Sequence, residues 1–429
     1  MGGQTLEARL RQGGLDEILR KLYGAPHLER ARTRCAGVLE GFAGAFGGEA
    51  QALFSAPGRT ELGGNHTDHQ HGQVLAAGVD LDILAAVAPN ESGVIRVQSE
   101  GYPLVTVDMA ELSPRPSEEN TTAALVRGVA ARMAELGCPL KGAGLDAYMK
   151  SSVPGGSGLS SSAAFEVLVG TILNSLFWED RCSAVEIAQI GQYAENVFFG
   201  KPCGLMDQTA SSVGGVVAID FADTAHPKVE QIALDLAASG YAMCILDSGA
   251  DHADLTGEYA AVTEELRAVC ACFGKEVLRE VPEEDFLADL ACVRKAAGDR
   301  GVLRAFHVYG ENRRAAAEAQ ALRCGDFAEF LRLVRESGRS SAMYLQNIVP
   351  TGAVGHQEMM VAIALAERLL EGRGAVRIHG GGFAGTAQAF VPLEMLEKFR
   401  AGIEAVLGTG SCHTVTVRPV GGIRLDRTV

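Results

Sequence analysis

The run Val153-Pro-Gly-Gly-Ser-Gly-Leu-Ser-Ser-Ser-Ala-Ala-Phe165 combines glycines and hydroxyls in a way that suits anion chemistry. Gly155, Gly156 and Gly158 let backbone N–H groups approach an anion closely, and a helix starting beyond them would add its positive N-terminal dipole. The hydroxyls of Ser157, Ser160, Ser161 and Ser162 can reach phosphate oxygens or a hard cation such as Mg2+. No Gly-Lys-Ser/Thr follows, so this is not a Walker A loop. Read alone, a Gly/Ser loop before a helix is equally a turn with an N-cap, because Ser is a favoured capping residue.

Other clusters point away from competing chemistries. His66, His69 and His71 lie close enough in sequence to suggest a transition-metal site. No carboxylate–histidine helix motif accompanies them, and hydrogen bonding or a local structural role fits better. The ten cysteines are scattered without a CxxC pair, as expected of reduced thiols in a cytoplasmic protein. A net charge of −15 opposes a nucleic-acid backbone or an anionic membrane as partner. No stretch approaches the roughly 18 apolar residues of a membrane span, and the first residues carry no apolar signal core. No obligate protein partner is evident, and Trp178 and the Phe198-Phe199 pair read as core.

Elements must position the loop. At 429 residues, 47% hydrophobic and 21% charged, the chain suits two globular domains of roughly 200 residues each with a cleft between them. The division is expected at 1–220 and 221–429. Helical spacing predicts one or two amphipathic helices before about residue 45, then strands from Ala52 to Val107. A helix from Thr121 to Leu136, a strand near Leu145 to Met149 and a helix from Ala163 to Phe177 bracket the loop, giving the strand–loop–helix order of a phosphate site. Further on, a strand at Ala242 to Leu246 precedes helices near 255–272, 284–297, 311–322, 326–337 and 356–371. Closing strands flank a glycine loop, with one helix at 393–407.

The full PxGxGLSSSAA string closely resembles the phosphate-binding motif of the GHMP kinases, the superfamily of galactokinase, homoserine kinase, mevalonate kinase and phosphomevalonate kinase. Within it, Ala56-Pro-Gly-Arg-Thr-Glu-Leu-Gly-Gly-Asn-His-Thr-Asp-His69 is similar to the galactokinase signature usually written GRVNLIGEHTDY, with Arg59, His66, Thr67 and Asp68 matching. The run from Ala194 to Gln208 resembles the AExxFxGxPCGxMDQ string, and Gly380 to Gly385 resembles GGGFGG. These matches fall in family order over nearly the whole chain. They imply an α+β, two-domain GHMP kinase with a ribosomal protein S5 domain 2-like N-terminal domain and a ferredoxin-like C-terminal domain.

The resemblance implies a sugar kinase that moves the γ-phosphoryl group of ATP to the C1 hydroxyl of galactose, with Mg2+. Asp207 would face that hydroxyl as base or orienting group, and Arg59 would hold Asp207 ionised while stabilising transferred charge; an ordinary buried ion pair is the plainer alternative. Ser162, with Ser161 as alternative, and Glu195 would hold the metal, although Glu195 could be a solvated helix-face carboxylate. Gly155, Gly156, Ser157, Gly158, Leu159, Ser160 and Ser161 would cradle ATP. Asn65, His66, Asp68, Gly204 and Tyr259 would bind the sugar, while Gly381 and Gly382 would let backbone approach a ligand.

The sequence departs from the family where it has Asn65 for Glu, Glu61 for Asn, Gly63 for Ile and His69 for Tyr, and where NIVPTGAVGHQEMM replaces SCPELD. An amide in place of a carboxylate weakens a hydrogen bond to a hydroxyl by about 1 kcal/mol. It also removes a repulsion of about 4 kcal/mol between carboxylates roughly 4 Å apart at an effective dielectric of about 20. Asn65 would therefore admit a sugar acid, and the segment is also similar to that of plant galacturonokinases. A third possibility is a non-catalytic, galactokinase-like sugar sensor.

Overall fold

The computed structural model describes residues 4–155, 158–250, 255–383 and 385–427. The layering of its first domain follows from period-two alternation in β1 (Ala52–Gly63) and β2 (Gln73–Asn90). Ala52, Phe54 and Ala56 join Ile83, Ala85 and Val87 in one core, whereas Leu53, Leu84 and Ala86 join another. Both faces of this sheet are apolar and both need cover. Helices α1 (Leu6–Arg11), α2 (Asp16–Tyr23) and α3 (Leu28–Phe46) cover the second face. The first is covered by α4 (Thr122–Glu135), α5 (Ser161–Phe177) and α6 (Ala184–Tyr193), with α7 (Met206–Val213) beside them.

β3 (Val94–Ser99), β4 (Val105–Asp108), β5 (Gly144–Ser151), β6 (Val216–Asp220) and β7 (Lys228–Ile232) complete most of this sheet. A second sheet holds β8 (Tyr241–Asp247), β9 (Ala375–Ile378), β10 (Thr386–Pro392) and β11 (Cys412–Val415). The last strand, β12 (Ile423–Arg424), returns to the first sheet, whose main path runs β12-β1-β2-β5-β3-β4. The second sheet is antiparallel in the order β11-β8-β10-β9. Numbered along the chain its strands lie 4-1-3-2, the ferredoxin-like arrangement that the resemblance implied. The fold is thus a two-domain α+β arrangement, as the resemblance implies. Because β7 and β12 lie in the first sheet, the expected division at residues 220 and 221 does not follow the sheets.

Helices α8 (Thr256–Ala271), α9 (Glu283–Ala288), α10 (Leu290–Arg323), α11 (Phe327–Ser340), α12 (Glu358–Leu370) and α13 (Leu396–Leu407) supply the rest. The helices expected at 284–297 and 311–322 are α9 and parts of α10, which is interrupted at Gly298, φ 76°. Cys244, Leu246, Ala387 and Ala389 of the second sheet pack against α12 and α13. Among the described residues no helix is long and apolar enough to cross a membrane.

One buried carboxylate ties three parts of the first domain together. Asp82, fully buried in β2, accepts from Arg34 Nη2 at 2.5 Å and Arg418 Nη1 at 2.9 Å, and from the hydroxyls of Tyr23 and Ser55. Burial would raise its pKa, but the two guanidiniums and these hydrogen bonds hold it below the usual value. Asp82→Ala would strand the fully buried Arg418, and should lower unfolding free energy by about 3–5 kcal/mol in urea titrations followed by circular dichroism. Unchanged stability would show that the network carries no weight.

Candidate active site

Arg59 leaves β1 beneath the glycine/serine loop, and its guanidinium makes a two-pronged pair with Asp207. Nε donates to Oδ1 at 2.7 Å and Nη2 to Oδ2 at 2.6 Å, the fork geometry that makes such pairs strong. Nη1 donates to the carbonyl of Gly158, and the Arg59 backbone N–H donates to that of Leu159 at 3.0 Å. Arg59 is 5% exposed, whereas the Asp207 side chain keeps 30% of its surface open. Asp207 stands in the first turn of α7, where a helix favours negative charge. Burial works to raise its pKa, but Arg59, a hydrogen bond from Ser160 and the charge of Lys201 bring it below the ordinary carboxylate value.

The loop feeds α5 through Ser160, which takes a left-handed conformation, φ 53°, of the kind found where function over-determines the backbone. Gly155 and Ser161 are exposed, while Leu159 is buried in the first core. Gly156 and Ser157 lie outside the described residues. Ser162 Oγ donates to Glu195 Oε1 at 3.3 Å, so two of the expected hard-oxygen groups meet. Glu195 is 3% exposed and belongs to a π-helical turn, Ala194–Phe199. Such turns recur at functional sites.

Behind Glu195 stand two residues that sequence reasoning passed over. Gln208 Nε2 donates to Glu195 Oε2 at 2.9 Å and to Glu166 Oε2 at 3.0 Å. Glu166 is fully buried, and burial followed by the Glu195 charge pushes its pKa well up, so it is held neutral. The signals were available: Gln208 follows Asp207 directly, and Glu166 lies four residues after Ser162 on the same helix face.

On the other side, His66 meets the second domain's glycine loop. Its Nε2 lies 2.9 Å from the Gly381 carbonyl; a carbonyl only accepts, so Nε2 carries the proton. Burial pushes the His66 pKa down to about 3, leaving a neutral ring whose buried Nδ1 has no partner among the described residues. Asp68 lies so close to Gly204 that a Cβ there would stand 1.9 Å from Asp68 Oδ2; only glycine allows this approach. The Tyr259 hydroxyl donates to the Gly382 carbonyl at 3.0 Å. Arg59, Asp207, Asp68, Gly204, His66 and Tyr259 therefore gather where the two sheets meet. Among the described residues no cluster of three His, Cys, Asp or Glu side chains could hold a metal, and the histidine triplet forms none.

Asn65 departs from expectation. It is fully buried and every hydrogen-bonding position of its amide is used. Nδ2 donates to Glu61 Oε1 at 3.1 Å and to the Gly380 carbonyl at 2.7 Å. Oδ1 accepts from Ser341 Oγ at 3.2 Å and Asn347 Nδ2 at 2.9 Å. An amide offers two donors and two lone pairs, so nothing remains for a sugar. Two of the other departures, Glu61 and Gly63, lie beside it. Glu61 pairs with the fully buried Arg377, and burial lifts its pKa to about 7 against the pull of that guanidinium. Gly63 makes room for Glu318: a Cβ at 63 would stand 1.6 Å from Glu318 Oε2. Glu318 is fully buried, and its pKa is raised well above the usual value by burial and by neighbouring Glu311.

Family models match in two places: the N-terminal domain of GHMP kinases over residues 124–215 and the galactokinase galactose-binding signature over residues 40–89. A galactokinase from Streptomyces coelicolor is 31% identical over 375 residues, covering 86% of this chain and 89% of the relative. One from Actinobacillus pleuropneumoniae is 33% identical, covering 82% and 88%. Among solved structures, Lactococcus lactis galactokinase complexed with galactose superposes with TM-score 0.77 at 24% identity, covering 91% of this chain and 99% of that one. The mevalonate kinase of L. major, in complex with R-mevalonate, gives TM-score 0.59 at 15% identity, covering 86% and 97%.

The commitment of Asn65 makes a prediction opposite to that of a sugar contact. Asn65→Glu, which restores the family's residue type, would set a carboxylate against Glu61 and the Gly380 carbonyl. The variant should lose at least about 2 kcal/mol of stability in thermal and urea melts. A variant with unchanged stability and altered sugar affinity would return Asn65 to the sugar pocket.

Proposed function

The chain belongs to the galactokinase family, and from that premise we propose that it transfers the γ-phosphoryl group of ATP to the C1 hydroxyl of galactose. It is a sugar kinase of the GHMP superfamily. The observation that carries the mechanistic reading is the two-pronged Arg59–Asp207 pair opening onto the phosphate loop.

Transfer of a phosphoryl group needs positioning and charge stabilisation more than covalent chemistry by the protein. Asp207 accepts the hydrogen bond of the sugar hydroxyl and aims its oxygen at the γ-phosphorus. Held ionised by Arg59, it is a weak base and acts mainly through orientation, taking up the proton late as the new P–O bond forms. His66 Nδ1 and the Asp68 carboxylate offer acceptors for ring hydroxyls, and Tyr259 stiffens the glycine loop beside them. Gly155 to Ser161 receive the triphosphate at the N-terminus of α5.

Ser162 and Glu195 fit Mg2+: both present hard oxygens, their separation of 3.3 Å lets one cation touch both, and this ion needs few protein ligands when phosphates and water complete its shell. Mg2+ bound there would neutralise charge on the phosphate oxygens. Gln208 and neutral Glu166 hold the Glu195 carboxylate in its orientation.

Galactose is the favoured sugar. Galacturonate rested on a free Asn65 amide, and that amide is spent. The convergence of Arg59, Asp207, Ser162 and Glu195 favours catalysis over a sensor role, and the ten unpaired cysteines support a reducing, cytoplasmic setting.

ADP release with Mg-ATP should be fastest with galactose when compared with galacturonate, N-acetylgalactosamine, glucose, homoserine and mevalonate; a preference for any other acceptor overturns the substrate assignment. Asp207→Asn should lower kcat at least about 100-fold, and full turnover would remove Asp207 from the mechanism. Because the Asp207 pKa is depressed, its ionised form is lost only as pH falls through a value below the usual carboxylate range. The acid limb of kcat from this group should therefore lie below about pH 4, and an acid limb near neutrality that vanishes in Asp207→Asn would contradict the pairing with Arg59.

A further inference from the structure

We propose that Lys201 is a further catalytic residue, whose ammonium group binds the outer phosphate oxygens of ATP and stabilises the charge on the transferred group. This rests on the reading that the loop and the Ser162–Glu195 pair receive Mg-ATP. The site needs a mobile cation, and Arg59 does not supply one. Arg59 is anchored rather than mobile: Nε and Nη2 are held by Asp207 and Nη1 by the Gly158 carbonyl, and the residue is 5% exposed.

Lys201 has the complementary properties. Its side chain is 65% exposed, and Nζ lies 3.6 Å from Glu195 Oε1, the same oxygen that accepts from Ser162. That separation is an ion pair without a hydrogen bond, a weak tether for a hydrated ammonium on a flexible stem. The backbone is fixed: the N–H groups of Gly200 and Lys201 both donate to the Glu195 carbonyl, at 3.1 and 3.2 Å. The positive charge also bears on Asp207, the group that would face the γ-phosphate from the sugar side. With nucleotide absent it balances Glu195. With Mg-ATP bound, Glu195 would hold the metal and the ammonium would turn to phosphate oxygen, exchanging one anion for another.

The chemistry balances without a new intermediate. The sugar oxygen forms its bond to phosphorus as the bond to the ADP oxygen breaks, the hydroxyl proton leaves on the Asp207 side, and Lys201 stays protonated throughout.

Lys201→Met and Lys201→Arg separate this role from a simple ion pair with Glu195. Binding of ATP and AMP is measured calorimetrically in EDTA, and turnover is measured with Mg-ATP and galactose. Lys201→Met should weaken metal-free ATP binding about tenfold, leave AMP binding within about twofold and lower kcat, while Lys201→Arg recovers most of both. Wild-type ATP affinity and kcat in Lys201→Met would overturn the role of Lys201 and leave the site reading intact. Equal losses for ATP and AMP would also overturn it, by showing a distorted loop. A wild-type protein that binds no ATP with or without Mg2+ would remove the site reading and this inference with it.

Discussion

The pair between Arg59 and Asp207 is the constraint around which the site is organised. A guanidinium buried this deeply is tolerable only with its partner in place, because removing either side leaves an uncompensated charge away from water. The partner comes from α7 and the guanidinium from β1, so the pair fixes the helix against the sheet. Nη1 and the backbone N–H of Arg59 hold the carbonyls of Gly158 and Leu159, and through them the exit of the phosphate loop. The same interaction sets the charge of Asp207, the height of the loop and the direction in which α5 begins.

Acidic residues elsewhere in the interior meet a different condition. Glu166 and Glu318 are fully buried with too few cations to balance them, and both are driven toward the neutral form. A neutral carboxyl can stand beside an ionised one where two anions would repel by several kcal/mol. This lets Glu166 share Gln208 with Glu195, and lets Glu318 fill the space beside Gly63. Glu61, lifted to about 7, lies between the two regimes. The domain contact at Asn65 is therefore built from groups whose charge depends on one another.

Much of this was legible because phosphate chemistry demands a contiguous string. The loop from Val153 to Phe165 and the strings holding Arg59, Glu195 and Asp207 announced their residues, and the structure brings those residues together. Asn65 was misread for a physical reason. A motif gives the order of side chains but not their direction, and apart from Glu61 the groups that claim the Asn65 amide lie 276, 282 and 315 positions away. Gly63 looked like a lost side chain because Glu318, which occupies that space, lies on α10 in another part of the chain. The π-helical turn that presents Glu195 has no apolar period to betray it. The helix α6, which precedes it, was passed over although Ser183 and Glu186 form a capping box.

The return of β12 to the first sheet bears on how the chain is made. The Leu53 N–H donates to Asp426 Oδ1, 373 positions later, and Arg418 reaches back to Asp82. A nascent chain leaving the ribosome exposes β1 long before either partner exists, and domains ordinarily fold in the order of synthesis. Here the first domain remains short of an edge strand and of one of the two counter-charges for Asp82, Arg418, until the second domain has been translated. Biogenesis thus joins the two halves into one cooperative event, and leaves a half-made chain with an open sheet edge for chaperones to shield.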